Sequence, residues 1–371
     1  MTARLIVANS ERDANLLYAT GIFAPDPFVF LEVRGKRYVV VNDLEIDRAR
    51  KQATVDRVLS YNWYLKRLKQ QGIPQPRQSD VVRLMLKEFH VRAVAVPSDF
   101  PIGLAKRLHG IRIRVIPEPF FPEREVKTSQ EVSKISRALW MAEEGMRAAM
   151  DALHACRIGR DGFLHRHGRK VMSEHIQGVI SATVAGLGGV SAYTIVACGN
   201  QGCDPHEVGH GPLRAHQPII VDIFPRDMTT GYYGDITRTV VRGRASDAVR
   251  RLWLTVEQAQ EMAFGKLRAG VDGRDVHRAV VDLFKNEGYL TGQYRGQMRG
   301  FFHSTGHGLG LDVHEMPRLS PVPSLLKAGH VVTVEPGLYY RGIGGVRLED
   351  VAVIGLRRAR ILTAFPKFHE I

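Results

Sequence analysis

The chain has 371 residues, of which 44% are hydrophobic, and this is typical of a folded protein of about two domains rather than a disordered one. Its three cysteines, Cys156, Cys198 and Cys203, exclude a disulfide framework or a zinc ribbon and favour a reducing cytoplasm. The first residues lack the layout of a signal peptide, and no apolar run approaches the roughly 18 residues that span a membrane. We therefore expect a cytoplasmic protein with no membrane partner.

The net charge of +14 makes nucleic acid a candidate partner. However, Lys and Arg are scattered along the chain, without long basic blocks or interleaved aromatic residues. A generally basic, solvated surface is the favoured interpretation, and nucleic acid is not an expected partner.

The first part of the chain alternates predicted strands and helices. Residues 27–47 predict two strands around the turn Arg-Gly-Lys-Arg, and a helix is expected over 53–71. VRAVAVP and IRIRVIP predict two further buried strands. We expect a small α/β domain over residues 1–123, because Pro117, Pro119 and Pro122 then interrupt regular structure.

The second domain, expected over 124–371, begins with a long amphipathic helix. Thr128 and Glu131 match a capping box, and apolar residues from Val132 to Leu153 recur at helical spacing. The remaining predicted elements are a helix over 171–187, strands over 194–199, 218–224 and 234–243, helices over 245–267 and 274–286, and strands over 331–340 and 346–354. This order of helices and strands occurs twice, which suggests two pseudo-symmetric halves.

The segment HSTGHGLGLDVHE contains three histidines, His303, His307 and His314, in a glycine-rich context that disfavours a helix. Any one of them is as well explained by a surface or buried core position as by a functional role. Three in one such segment favour function, because glycine lets backbone and ligand approach closely.

Four acidic residues lie in segments of aliphatic strand pattern: Asp222, Asp235, Glu335 and Glu349. A regular hairpin would place Asp222 directly opposite Asp235, and such buried like charges are costly unless a cation lies between them. A salt bridge is the favoured interpretation for any one of these acids. Four of them and a histidine instead predict an oxygen-rich site for Mn²⁺, Co²⁺ or Zn²⁺. Two ions about 3.5–4 Å apart would use all four carboxylates.

These motifs resemble the pita-bread metallopeptidases, the family of methionine aminopeptidase, Xaa-Pro aminopeptidase and prolidase. The resemblance is strongest from Pro218 to Val353, through VDIF…GYYGDITRT, HSTGHGLGLDVHE, TVEPGLY and VRLED in the family order. NLLYATG and DPFVFLEVRGKRYVVVNDLE are similar to the N-terminal, creatinase-like domain of the proline-specific branch. The resemblance implies an α+β chain with a small α/β N-terminal domain and a pita-bread catalytic domain of two α-α-β-β halves.

The resemblance also implies a site of two divalent metal ions per chain, Mn²⁺ above all, with Co²⁺ or Zn²⁺ as alternatives. The ligands would be Asp222, Asp235, His307, Glu335 and Glu349. Asp235 and Glu349 would bridge both ions, Asp222 would bind one of them, and His307 with Glu335 would bind the other.

The further catalytic residues implied by the resemblance are His206, His303, His314, Glu335 and Arg347. His206 is preferred to the nearby His210 because it follows Pro205. His314 would contact the scissile carbonyl or the oxyanion, and Glu335 would relay a proton. Tyr339, His206 and His314 would bind the substrate.

The activity implied is hydrolysis of the Xaa-Pro bond at peptide N-termini by a metal-bridging hydroxide, in a homodimer that acts on small peptides with proline second. Whether the protein is an aminopeptidase or a dipeptidase stays open. One alternative is a catalytically altered pita-bread protein that binds nucleic acid or histones, and another is a metal-free enzyme of creatine-like amidino compounds. The presence of all five ligands disfavours both.

One feature departs from the family pattern. Asp222 and Asp235 are 13 positions apart, which is longer than the usual spacing. An even insertion keeps both side chains on one face of the hairpin, so the metal site should survive. The longer tip is expected to alter the rim of the substrate pocket.

Overall fold

The computed structural model describes residues 2–371. The chain divides into two compact units, one ending at Arg124 and the other spanning Glu125–Ile371. Each unit encloses apolar cores of its own. Within the described residues, no helix combines the length and apolar character needed to cross a bilayer.

The N-terminal unit is a mixed sheet with an apolar core on each face. Its strands are β1 (Ala3–Ala8), β2 (Phe28–Val33), β3 (Lys36–Val41), β4 (Arg57–Ser60), β5 (Ala93–Pro97) and β6 (Arg112–Ile116), and its helices are α1 (Ala14–Thr20), α2 (Ile46–Gln52), α3 (Tyr61–Gln70), α4 (Gln78–Glu88) and α5 (Ile102–Ala105). The strand order is β4-β3-β2-β1-β5-β6. Val29 and Leu31 enter one core while Phe28 and Phe30 enter the other, because successive strand residues point to opposite faces.

The predicted helix over 53–71 is wrong in its first part. Residues 57–60 form β4, which pairs in parallel with β3. The helix α3 begins only at Tyr61, because Ser60 is its N-cap and its hydroxyl accepts a hydrogen bond from the backbone N–H of Trp63 at 3.1 Å.

The C-terminal unit contains longer helices and several small sheets. Its helices are α6 (Ser129–His154), α7 (Ser173–Gly186), α8 (Asp247–Lys266) and α9 (Gly273–Asn286). Its strands are β7 (Arg157–Ile158), β8 (Leu164–Arg166), β9 (Arg169–Lys170), β10 (Gly189–Val190), β11 (Ile195–Cys198), β12 (Pro218–Ile223), β13 (Arg226–Asp227), β14 (Ile236–Val241), β15 (Gly292–Tyr294), β16 (Gln297–Arg299), β17 (Gly306–Gly308), β18 (Glu315–Leu319), β19 (Val331–Val334), β20 (Gly337–Tyr340), β21 (Gly344–Arg347), β22 (Asp350–Val353) and β23 (Arg360–Ile361).

The two halves expected of this unit are present. In the first half, α6 and α7 pack on the sheet β11-β12-β14, with Met146 and Val221 in the shared core. In the second half, α8 and α9 pack on the sheet β18-β17-β19-β22-β23, with Val256 and Val332 in the core. The capping box of Thr128 is formed and starts α6. Each half is therefore a helix pair that covers one face of a sheet.

Each of the last two predicted strands is interrupted. Pro336, which has no backbone N–H, follows Glu335 and separates β19 from β20. Glu349 lies between β21 and β22, not within a strand as predicted. Its backbone N–H donates to the carbonyl of Thr237 at 3.0 Å. This contact joins the second half to β14 of the first.

The hairpin of β12 and β14 also differs from the prediction. Asp222 pairs with Thr237, and Ile223 pairs with Ile236. Asp235 precedes β14 and is therefore not directly opposite Asp222, which corrects the regular-hairpin expectation. The displacement equals two residues, so both carboxylates stay on the same face of the hairpin.

Candidate functional site

A cavity of about 520 Å³ lies where the two halves of the C-terminal unit meet. It is lined by the acidic residues Asp222, Asp235, Glu335 and Glu349, by His206, His303, His307, His314, Arg318, Arg347 and Ser304, and by Tyr193, Ile195, Pro205, Val208, Phe224 and Val313. This volume is within the range of small-molecule sites. All five predicted metal ligands converge on it.

Three of these side chains form a compact cluster. Asp235, His307 and Glu349 are buried, and each offers a ligand atom within 4.8 Å of the others. A fourth ligand atom is close, because His307 Nε2 lies 3.4 Å from Glu335 Oε1 and 3.9 Å from Asp235 Oδ2. The cluster has the donor types and the spacing that a divalent metal ion requires.

The glycines beside His307 allow this packing. A Cβ atom on Gly306 would lie 2.0 Å from the carbonyl oxygen of Thr333, and one on Gly308 would lie 2.3 Å from that of Met316. Only glycine fits at such close backbone contacts. These contacts explain why the histidine lies in a glycine-rich segment.

Hydrogen bonding fixes the tautomer of His307. Its Nδ1 lies 3.1 Å from the carbonyl oxygen of Gly308, and a carbonyl can only accept, so Nδ1 carries the proton. Burial lowers the pKa of the ring to about 3, so it stays neutral. Nε2 therefore presents a lone pair to the carboxylates of Asp235 and Glu335, as a metal ligand does.

Neighbouring protein groups neither balance the negative charges of the buried carboxylates nor satisfy all of their oxygens. Asp222 Oδ1 and Glu349 Oε1 are buried without a hydrogen-bond partner in the described structure. Burial and the neighbouring acids raise the pKa values of Asp235 and Glu349 well above the ordinary range. Burial and Asp222 raise the pKa of Glu335 to about 8. Unpartnered oxygens and mutual repulsion are the features that bound cations would relieve, so these residues fit a metal centre.

Arg347 holds one edge of the cluster. Its Nη2 donates to Asp222 Oδ2 at 2.6 Å, and its Nε lies 3.5 Å from the hydroxyl of Thr237. The same hydroxyl donates to Glu349 Oε2 at 2.8 Å. One oxygen of Asp222 and one of Glu349 are thus fixed by the protein, and the other oxygen of each is buried without a hydrogen-bond partner in the described structure.

Tyr339 lies behind the cavity rather than in its wall. It is fully buried, and its hydroxyl bonds His303 Nε2 at 2.8 Å and accepts from Arg347 Nη1 at 3.1 Å. The Nδ1 of His303 bonds the carbonyl oxygen of Ser304, so the tyrosine hydroxyl is the donor to Nε2. The expected contact of Tyr339 with substrate is therefore corrected: the residue orients His303 and Arg347.

The remaining predicted histidines differ in position. His314 lines the cavity, with its ring perpendicular to that of His307 and 4.3 Å away between centroids. His206 also lines it, whereas His210 does not and lies exposed, its backbone N–H bonded to Gln201. Burial and then Arg318 lower the pKa of His314. The cavity thus brings together His206, His303 and His314.

Arg318 is a cavity residue that the sequence did not reveal. It is the partner of His307 in the β17–β18 pairing. Within residues 2–371 its guanidinium makes no hydrogen bond or ion pair. The pairing is irregular at His307 and Gly308, so spacing along the sequence could not have placed this arginine beside the cluster.

The tip of the long hairpin does not itself line the cavity. Asp227 is fully buried there; its Oδ1 accepts from the N–H of Thr229 at 2.8 Å, and its Oδ2 accepts from Thr230 Oγ1 and Arg137 Nε, both at 3.0 Å. None of residues 225–233 is among those that line the cavity. The tip nevertheless packs on segments that form the cavity wall: β13 pairs with β10, which leads to the cavity residue Tyr193, and the backbone N–H of Tyr233 donates to the carbonyl of Gly310 at 2.9 Å. An effect of the tip on the pocket rim, through these neighbours, stays a prediction.

Comparisons with known proteins find relatives among peptidases. A family model described as metallopeptidase family M24 matches residues 133–355. The Xaa-Pro dipeptidase of Pyrococcus furiosus is 31% identical over 241 residues, which are 65% of this chain and 63% of that protein. The Xaa-Pro dipeptidase of Pyrococcus horikoshii is 27% identical over 278 residues, 74% and 73% of the two chains. The match to the first relative thus spans less than two thirds of its length.

Solved structures share the fold over nearly the whole chain. The X-Pro aminopeptidase from Thermotoga maritima MSB8 superposes with a TM-score of 0.82 at 24% identity, over 100% of this chain and 98% of that one. The prolidase from Pyrococcus furiosus gives 0.79 at 21% identity, over 99% and 97%. The predicted α+β class with a pita-bread domain is confirmed.

Proposed function

The chain belongs to metallopeptidase family M24, and we propose that it is a dinuclear-metal exopeptidase that hydrolyses the bond between an N-terminal residue and a proline in second position. The proposal is supported chiefly by one observation. The lone pair of His307 and the unpartnered oxygens of Asp222 and Glu349 belong to one buried cluster in the wall of a cavity. The names of the Pyrococcus relatives supply the substrate class.

The metal ligands in this proposal are Asp222, Asp235, His307, Glu335 and Glu349. A set of four carboxylates and one imidazole suits Mn²⁺ first, with Co²⁺ or Zn²⁺ as alternatives. Bound ions would supply Lewis acidity, which polarises the scissile carbonyl and makes a water more acidic.

The protein's own groups would handle the protons. Glu335 is suited to accept a proton from the attacking water and to return it to the leaving nitrogen, because it lines the cavity beside His307. His314 is kept neutral, so its ring N–H is available to the developing oxyanion. Arg347 would fix Asp222, and Tyr339 would fix His303.

Arg318 favours dipeptides over longer peptides. A guanidinium that lines the cavity and lacks a protein partner is well suited to bind the carboxylate that follows proline in a dipeptide. In a longer peptide this carboxylate is replaced by a neutral amide. We therefore propose Xaa-Pro dipeptides as the preferred substrates. A homodimer and a cytoplasmic location stay predictions from the sequence.

The proposal is tested by proline release from Ala-Pro and Ala-Pro-Ala, with Mn²⁺-loaded protein and a chelator control. Hydrolysis of the dipeptide that is abolished by chelator is the expected result. Cleavage of Ala-Pro-Ala in preference would make the protein an aminopeptidase. Absence of cleavage of both peptides, with metal bound, would refute the proposed function.

A further inference from the structure

An aromatic residue with an unfavourable backbone conformation lines the cavity. Tyr193 has a φ of 60° and is 79% exposed. In this left-handed region the Cβ of a non-glycine residue crowds the following carbonyl, and an exposed ring gains nothing from burial. Residues kept in such conformations cluster at functional sites. The conformation therefore points to contact with a ligand.

Local structure accounts for the other left-handed residues better than for Tyr193. Arg34, His167 and Arg295 each precede a left-handed glycine in a turn between paired strands. His216 has its ring bonded to the backbone of Arg244, and His90 follows the C-terminus of α4. Of these six residues, only Tyr193 lines the cavity. Its ring makes no hydrogen bond or ring contact within residues 2–371.

The backbone around Tyr193 is fixed on both sides. The hydroxyls of Ser191 and Thr194 are hydrogen-bonded at 2.6 Å across the turn. The preceding strand β10 pairs with β13, and the following strand β11 pairs with β12. The ring is therefore presented from a supported turn, so little backbone order would be lost on ligand contact.

The position of Tyr193 indicates which part of a peptide it meets. In the β11–β12 pairing, Ile195 lies directly opposite Asp222, at the acidic end of the cavity that suits a peptide's amino group. Arg318 pairs with His307 in the other sheet and suits the carboxylate. Tyr193 precedes Ile195 by two residues, and both line the cavity with Val208. The first residue of the peptide would thus lie on the side of Tyr193.

We infer that Tyr193 contacts the side chain of the peptide's first residue and selects large apolar or aromatic side chains there. This inference rests on the proposed function. Contact between two aromatic rings, or between a ring and a large apolar side chain, contributes enough to change the preference between two substrates by about tenfold. The phenol oxygen is not needed for such a contact.

The test compares kcat/KM for Phe-Pro and Gly-Pro in the Mn²⁺-loaded protein and in two variants. The ratio should favour Phe-Pro in the wild type and in Tyr193→Phe, which keeps the ring. Tyr193→Gly should lower the ratio by about tenfold. Glycine adopts the left-handed backbone freely, so this variant should melt at no lower temperature than the wild type. Tyr294→Ala, at an exposed tyrosine outside the cavity, is the control and should keep the wild-type ratio.

The outcomes separate the two proposals. If the wild type hydrolyses neither peptide, the proposed function fails, and the role of Tyr193 fails with it. If the wild type hydrolyses both peptides and Tyr193→Gly keeps the ratio of kcat/KM, or lowers both values equally, the proposed role of Tyr193 is overturned while the proposed function stands.

Discussion

His307 Nε2 lies 3.4 Å from Glu335 Oε1, and the hydrogen bond of Nδ1 to Gly308 leaves a lone pair on Nε2. A lone pair and an ionised carboxylate repel each other at this distance. Protonation of Glu335 or a bound cation relieves the repulsion, and the raised pKa of Glu335, about 8, agrees with the first of these. In the proposed metal centre, the metal-free site would therefore hold protons that metal ions displace on binding.

The stability of the metal-free protein should depend on pH in a way that bound metal suppresses. Glu335 has a folded pKa of about 8 against an ordinary 4.5, and Asp235 and Glu349 are shifted in the same direction. An acid whose pKa is raised by folding stabilises the folded state fully at pH values below its pKa in the unfolded chain. This stabilisation is lost as the pH rises through the pKa of the folded state. The lowered pKa values of His303 and His307 act in the opposite sense, but only below about 6.5.

The informative window is therefore pH 6.5 to about 9. Over this range we expect the chelated protein to lose stability while the Mn²⁺-loaded protein changes little. At saturating metal the gap in melting temperature should reach about 5–10 °C at the upper end. Differential scanning calorimetry with and without chelator measures it. If the melting temperatures of the chelated and the Mn²⁺-loaded protein changed in parallel with pH, metal ions would not be displacing protons from the site.

Asp235→Asn should abolish activity without unfolding the protein. Burial, and then the charges of Asp222 and Glu335, raise the pKa of Asp235. The amide that replaces the carboxylate is neutral, so it is less costly to bury and is not repelled by these acids. We expect turnover to fall by at least about 100-fold, and the melting temperature in chelator to equal or exceed that of the wild type. Metal should raise this temperature less than in the wild type.

The matched control for this variant is Asp227→Asn, at a buried aspartate of the same hairpin that lies outside the cavity. We expect the Asp227→Asn variant to keep its turnover. Activity retained by Asp235→Asn in a metal-saturated assay would show that this carboxylate does not bridge the ions.

Arg318→Leu should weaken dipeptide binding selectively. A charge-assisted hydrogen bond contributes about 1.5–3 kcal/mol, so KM for Ala-Pro should rise by roughly 10- to 100-fold. Ala-Pro-amide, which lacks the carboxylate, should be affected much less. Arg318→Lys keeps the charge and should retain part of the difference. Equal losses on both substrates would assign Arg318 a role other than carboxylate binding.

Asp227→Asn should destabilise the hairpin tip without altering specificity. The substitution removes the charge that pairs with Arg137 and leaves an amide N–H₂ facing the donors of Arg137 and Thr230. We expect a loss of about 2 kcal/mol, seen as a lower melting temperature. The ratio of kcat/KM for Phe-Pro and Gly-Pro should stay at the wild-type value. A changed ratio would mean that the tip acts on the pocket through β10 and the turn that carries Tyr193.

The sequence predicted most elements of the C-terminal unit because their signals are local. Thr128 and Glu131 define the start of α6 without tertiary help, and the aliphatic runs around Asp222 and Glu335 mark buried strands. The start of α3 was placed too early, because residues 57–60 gain their strand conformation from pairing with β3. Such pairing depends on a distant partner, so the local pattern does not contain it.

The candidate site was predictable as a set of residues but not as an arrangement. The motifs named the acids and histidines that converge on the cavity. They could not reveal that Asp235 precedes β14, that Tyr339 is covered, or that Arg318 lies beside His307. Each of these depends on the register of strand pairing or on packing from another element.

The contact between Thr237 and Glu349 joins positions 112 apart in the sequence. Contacts across such distances form late in folding, because closing a long loop costs entropy before the contact stabilises anything. Asp235 and Glu349 meet across this contact, so we expect their cluster to form only after most of the chain has ordered. Ions held there would therefore slow unfolding far more than they speed folding, and the loaded enzyme would owe its persistence to a kinetic barrier.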